Sequence, residues 1–170
     1  REYKVNGSFL LGKWLGINDN YSGNVNISTD ISFPNSESSL LEILRQNKNL
    51  EIIGSGHSYN PQMFDSTKKF VNLCDACTEL KFIKKTNEII VGSGVSVFSV
   101  SKYLKSLNRT LQASGSHGSQ SFVAALITGT HGHAKTGATM ATSIVAMKVY
   151  TYNDDVIWII DEETLCNCRV

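Results

Sequence analysis

The residues able to do chemistry gather in three glycine-rich turns. The first closes the run Leu50-Glu-Ile-Ile-Gly-Ser-Gly-His-Ser-Tyr-Asn60, where an apolar segment breaks into Gly54, Ser55, Gly56, His57 and Ser58. Gly54 and Gly56 permit positive φ and leave consecutive amide N–H groups exposed, and a concave row of amides cradles an anion such as phosphate without a long side chain. His57 sits at the rim of that turn, with an imidazole that is neutral and nucleophilic near pH 7. An ordinary loop histidine between two glycines is the competing reading. The other two turns are Gly115-Ser-His-Gly118 and Thr128-Gly-Thr-His-Gly-His133. Each can offer N–H and hydroxyl donors, so the three together suggest one extended ligand lying across several strand ends.

Other chemistries fit poorly. There is no Gly-x-Gly-x-x-Gly opening a helix and no Gly-x-x-x-x-Gly-Lys-Ser/Thr, which disfavours an ordinary Rossmann site or a P-loop. His117, His131 and His133 invite a metal, but their glycine flanks give no rigid face and no carboxylate stands at ligand spacing. Cys74-Asp-Ala-Cys77 has a redox or half-zinc spacing, and Cys166-Asn-Cys168 completes it poorly. No metal site is expected.

These turns need elements to position them. Leu50 to Ile53 suits a buried strand, with further strands expected at Asp30 to Pro34, Lys69 to Leu73, Leu80 to Ile83 and Glu88 to Gly92, the last two flanking a turn at Lys85-Thr-Asn87. Ser36 caps a helix carrying Leu40, Leu41, Ile43 and Leu44 to about Asn47, and Ser96 caps a second in which Val97, Val100, Tyr103, Leu104 and Leu107 recur at helical spacing. Leu111-Gln-Ala113 reads as a brief extended piece and Phe122 to Ile127 as a compact apolar helical turn. Ala141 to Tyr152 and Val156 to Ile160 read as a hairpin turning at Asn153-Asp-Asp155. Strands and helices in this order predict an α+β fold.

At 170 residues the chain is long enough for a real core, since a domain near that size buries roughly 70% of its unfolded surface. A hydrophobic content of 41% with 18% charged residues describes a globular chain, and a formal net charge of +1 gives no global pull toward nucleic acid or an acidic membrane. No run reaches the roughly 20 apolar residues a bilayer span needs. The chain therefore reads as soluble, with the cytoplasm favoured. Asn6, Asn20, Asn26 and Asn108 each begin an Asn-x-Ser/Thr triplet, a pattern common by chance.

The order of Asn20-Tyr-Ser-Gly-Asn24, Gly54-Ser-Gly-His-Ser58, Val91-Gly-Ser-Gly-Val95, and Ser116 through Thr128-Gly-Thr-His-Gly132 resembles the FAD-binding (PCMH-like) domain of the vanillyl-alcohol oxidase type. Within that type the likeness is to the alditol (xylitol) oxidase and aldonolactone oxidase branch, over roughly residues 20 to 160. It implies an N-terminal arm at 1–28, an FAD-binding domain at 29–160 made of two small α+β subdomains (29–78 and 79–160), and a tail at 161–170. By resemblance, the amides of Gly54 to Ser58 line the pyrophosphate of FAD. His57 stands where many members attach the flavin 8α-methyl covalently, a bond expected in a full-length form and mostly absent from this chain. Ser116, Gly129, Thr130, His131 and Gly132 match a second flavin-contacting wall, and Ile144 with Val145 match a strand that passes the adenine.

Two departures stand out: Ala124 where the family usually has Gly, and His117-Gly118 where it has Leu-Pro. These enzymes also continue into a substrate cap that supplies the base. Its residues are not among these 170, so no catalytic residue is expected here and this chain by itself is expected to be inactive. The resemblance implies the FAD-binding portion of a flavin-dependent oxidoreductase acting on CH–OH groups of a polyol or sugar lactone. The alternative is a truncated, non-catalytic relative that keeps the fold.

Overall fold

The computed structural model describes residues 20, 31–47, 49–65, 67–132, 135, 137–151 and 156–159. The fold is α+β. Its first layer is a three-stranded parallel sheet of β1 (Ile31–Ser32), β2 (Leu50–Ile53) and β3 (Lys69–Asn72), with β3 in the middle. Leu50 is opposite Lys69 and Ile53 opposite Asn72, while Ile31 is opposite Phe70. Phe70, Val71 and Asn72 are all buried, as a central parallel strand covered on both faces requires. Strand alternation sends Phe70 to one side, against Ile53 and Phe64, and Val71 to the other, against Leu40 and Leu50.

Leu40 comes from α1 (Glu37–Gln46), which covers the Val71 side. Ser36 starts this helix through a reciprocal capping box: its Oγ accepts from the Ser39 amide at 3.2 Å, and its own amide donates to Ser39 Oγ at 3.1 Å.

A third hydrophobic cluster is built on α2 (Val97–Ser106) and α3 (Phe122–Ile127). Val97, Val100 and Leu104 of α2 meet Phe122 and Ala125 of α3, with Val95 and Met140 completing the group. Ser96 Oγ caps α2 by accepting from the Ser99 amide at 3.1 Å. The hairpin of β4 (Leu80–Ile83) and β5 (Glu88–Val91) lays Leu80, Ile89 and Val91 on this cluster, and its turn uses Asn87 at a φ of 61°. Asn is among the few non-glycine residues that accept that region.

Gly92 and Gly94 lie where the chain leading into the α2–α3 cluster crosses the end of the first layer. A Cβ at Gly92 would lie 2.3 Å from the Cys77 carbonyl oxygen, and one at Gly94 2.3 Å from that of Leu73. The crossing is backbone on backbone, tied by Gly92 N–H to Glu79 O and Gly94 N–H to Cys77 O.

Several elements differ from the sequence expectation. Residues 141–143, expected in the last hairpin, belong to a 3-10 turn, Met140–Ser143, and pairing begins only at β6 (Met147–Tyr150) opposite β7 (Val156–Ile159). Ile144 therefore lies in the connection between turn and strand, its N–H donating to Ala141 O. Strand propensity at Ile144 and Val145 lost to the local turn. Leu111 to Ala113 is not a strand either, and a 3-10 turn at Pro61–Phe64 went unforeseen. The expected arm at 1–28, apart from Asn20, the turn at 153–155 and the tail with Cys166 and Cys168 lie outside the described residues. Lys148 of β6 reaches Glu37 at the start of α1, Nζ to Oε1 3.1 Å, which joins the last hairpin to the first layer.

Candidate functional site

β2 delivers the first turn. Ile53 ends the strand, and the turn that follows is shaped by Asn72, at the end of the neighbouring β3. Its buried side chain donates from Nδ2 to both Ile53 O and Gly54 O, each at 2.9 Å, while Oδ1 accepts from the Cys74 amide at 3.0 Å. Gly54 is closely packed: a Cβ there would meet Ser121 Cβ at 3.3 Å, a tight contact, and Ala124 Cβ at 3.6 Å, an ordinary one. Gly56 takes a φ of 66°, open to glycine without strain. At the far end, buried Asn20 donates from Nδ2 to Ser58 O at 2.7 Å. Asn20 is thus a structural side chain of this turn rather than an accessible glycan acceptor.

The second turn lies against the first. Ser55 Oγ donates to Ser119 O at 2.7 Å, and His57 Nε2 is 2.9 Å from Ser119 Oγ. The rings of His57 and His117 are 5.8 Å apart with planes tilted by 41°. Burial of the imidazole, with His117 beside it, holds His57 below its ordinary value of 6.5, so the ring is neutral at physiological pH.

The third turn is reached through the second. A Cβ on Gly115 would lie 2.7 Å from Thr130 Cγ2, and one on Gly132 2.1 Å from Ser114 O, so 114–115 and 130–132 run in close contact. Gly129 has a local duty. With a φ of 69° it ends α3 in a Schellman arrangement, its N–H donating to Leu126 O at 3.1 Å and that of Thr130 to Ala125 O at 2.9 Å. His131 is exposed and pairs through its backbone with Thr139.

Of the residues singled out from sequence, Gly54, Ser55, Gly56, His57 and Ser58 form one turn. Ser116 lies on the loop that touches it, and Thr130 and Gly132 lie along the same loop's other end. Ile144 bonds through its backbone N–H to Ala141 O. Asn72 and Ser119, which hold the turns, carry no sequence signal because their partners are 19 and 62 positions away, and Asn20, read from sequence only as the start of a motif and of a triplet, holds Ser58 from 38 positions away. One signal was readable and missed: no Asp or Glu occurs between Glu88 and Asp154, while Lys102, Lys105, Arg109, Lys135 and Lys148 do. The second and third turns thus lie in a chain segment of positive charge, suited to an anion.

Cys74 is buried and its thiol is pushed up to about 11, first by burial and then by Asp75, so it is an inert core thiol. Among the described residues no group of three or more His, Cys, Asp or Glu is placed to hold a metal, and no helix is long and apolar enough to cross a membrane.

The family model described as FAD binding domain matches residues 31–159. The chain belongs to that FAD-binding family. Its fold is similar to cholesterol oxidase from B. sterolicum (TM-score 0.59, 14% identity, 67% of this chain and 23% of that one). It is similar also to 6-hydroxy-D-nicotine oxidase from Arthrobacter nicotinovorans (0.61, 17%, 78% and 30%) and to a chitooligosaccharide oxidase (0.60, 14%, 88% and 33%). The chain spans 23% to 33% of the length of these solved structures, and at such identities the likeness is one of fold. No curated protein sequence gives a significant match.

The turns of this FAD-binding domain suit the cofactor's diphosphate. The amides of Ser55, Gly56 and Ser116 donate to no protein acceptor among the described residues, and Gly56 is buried. A buried N–H left unpaired costs about 1–3 kcal/mol, which a phosphate oxygen would recover. Hydroxyl and amide donors with no carboxylate in any of the three turns are the donor set an anion needs.

Proposed function

We propose that this chain is the FAD-binding portion of a flavin-dependent oxidoreductase that oxidises CH–OH groups of a polyol or sugar lactone, of the alditol oxidase or aldonolactone oxidase kind. The observation that supports it most is the contact among the three turns: Ser55 and His57 of the first bond to Ser119 of the second, residues 114–115 pack on 130–132 of the third, and the amides of Ser55, Gly56 and Ser116 have no protein acceptor among the described residues. In this reading the domain comprises two subdomains, 29–78 and 79–160, in keeping with its separate hydrophobic clusters.

Bound there, FAD would supply a hydride acceptor; the protein's share is to bind and orient it. The amides of Gly54 to Ser58 hold the diphosphate, and Ser116, Thr130, His131 and Gly132 line a second wall. Burial keeps the His57 nitrogen lone pair available at neutral pH, as attachment to the flavin 8α carbon requires. Ile144 joins this set only by its sequence resemblance. The polyol or lactone assignment rests on the order of the sequence motifs.

Three measurements test the reading. Purified chain incubated with FAD and desalted should keep the yellow flavin absorption; a colourless protein would refute flavin binding. Under anaerobic conditions, bleaching of that band in the longest form of the protein by xylitol or a sugar lactone supports the substrate class. Bleaching by neither removes it. After acid precipitation, fluorescence kept by the wild type and lost in His57→Ala identifies a covalent link through that residue.

A further inference from the structure

Ser119 occupies an unusually well-held position. Three consecutive carbonyls around it are each engaged: Gly118 O accepts from the Phe98 amide at 2.7 Å, Ser119 O from Ser55 Oγ at 2.7 Å, and Gln120 O from the Val97 amide at 2.9 Å. Gly118 is pressed on α2 closely enough that a Cβ would come within 3.2 Å of Phe98 Cβ. One residue later, Ser121 Oγ donates to Ser93 O at 2.8 Å and caps α3. The backbone carrying Ser119 is therefore anchored to α2, to the first turn and to the 93–95 segment at once, and its Oγ stands 2.9 Å from His57 Nε2.

A neutral imidazole has two tautomers, and which nitrogen carries the proton is decided by the hydrogen bonds the ring makes. A hydroxyl can accept from an N–H or donate to a bare nitrogen. We propose that Ser119 is the positioning residue of His57: its hydroxyl, able to take either role toward Nε2, holds the ring in one orientation, so that Nδ1 and Nε2 keep distinct, fixed surroundings and one tautomer prevails. Ser55 serves the same end indirectly, by fixing the Ser119 carbonyl. The proposal rests on the flavin reading only for what the imidazole faces; the tautomer belongs to the protein itself. The second ring nearby, His117, is exposed and 5.8 Å away between centroids. It approaches His57 from the same loop as Ser119, so its signals must be assigned separately.

The experiment is long-range 1H–15N correlation on the full chain labelled at histidine, at pH 8 and without added flavin, with His57 assigned by loss of its signals in His57→Gln. Wild type should show one ring nitrogen of His57 with a protonated shift and the other with an unprotonated shift. Ser119→Ala should collapse this to averaged shifts, Ser119→Thr should restore the wild-type pattern, and Ser55→Ala should give an intermediate one. Far-UV circular dichroism separates loss of the tautomer from loss of the fold. If Ser119→Ala does not fold, Ser55→Ala and Ser119→Thr still decide between the outcomes. An unchanged His57 pattern in folded Ser119→Ala, or averaged shifts already in the wild type, overturns the proposal. Failure of the chain to take up FAD would defeat the functional reading and leave this result standing.

Discussion

His57 couples the site to pH. Its folded value lies below the ordinary 6.5 because burial penalises the charged ring, with His117 adding to the effect. As pH falls through 6.5 the unfolded chain takes up a proton that the folded chain still refuses, so stability drops over that window and levels once folded His57 itself titrates. Above 6.5 both states are neutral and the contribution is constant. His57→Gln should flatten this acid-side slope, measured as the urea midpoint against pH. An unaltered slope would mean that His57 does not titrate as its burial requires. At the same scale, Asn72 satisfies three backbone groups that no other described side chain reaches. Asn72→Ala strands them, which should cost about 1–3 kcal/mol in denaturant unfolding.

Elements here are defined at their ends. Ser36 and Ser96 cap α1 and α2, as their sequence positions indicate, and Ser121 caps α3 while also reaching Ser93 O. Ser96→Ala should therefore lower stability by about 1 kcal/mol. Gly129 closes α3 with a left-handed residue, although a Cβ there would meet nothing within 4 Å. Gly129→Ala tests conformation rather than space, with an expected loss of about 1–2 kcal/mol by thermal or chemical unfolding. A neutral result would show that α3 can end by another route. Loss of flavin affinity in that variant without loss of stability would assign Gly129 to the ligand instead of the helix.

For the whole molecule, the crossing at Gly92 and Gly94 decides how the first layer meets the α2–α3 cluster. Gly94→Ala places a methyl on the Leu73 carbonyl in backbone that has no side chain to move aside, and overpacking of at least about 1–3 kcal/mol should appear as a lowered melting temperature. Flavin acts in the opposite direction. A ligand that binds only the folded chain stabilises it by about 2.7 kcal/mol at a concentration 100 times its Kd, so FAD should raise the melting temperature with the logarithm of its concentration over Kd. Ser116, exposed and without a structural hydrogen bond among the described residues, is the cleaner probe of the hydroxyl donors. Ser116→Ala should weaken FAD by about 0.5–1.5 kcal/mol and leave the apo melting temperature unchanged.

Sequence alone determined what depends on neighbours in the chain. Both longer helices with their serine caps, the strands at 50–53, 69–72, 80–83 and 88–91, and the glycine turn bearing His57 follow from local propensity, capping and turn chemistry. Tertiary structure decided what depends on distant backbone. Ile144 left its expected strand because a 3-10 turn at 140–143 competes for the same amide, and β3 became the central strand only through pairing on both edges. Ser119 gained its place beside His57 from carbonyls anchored by Ser55, Val97 and Phe98. A serine in a glycine loop has the same local signature whether its hydroxyl meets solvent or an imidazole 62 residues away, because a hydrogen bond between side chains imposes no periodicity on the sequence.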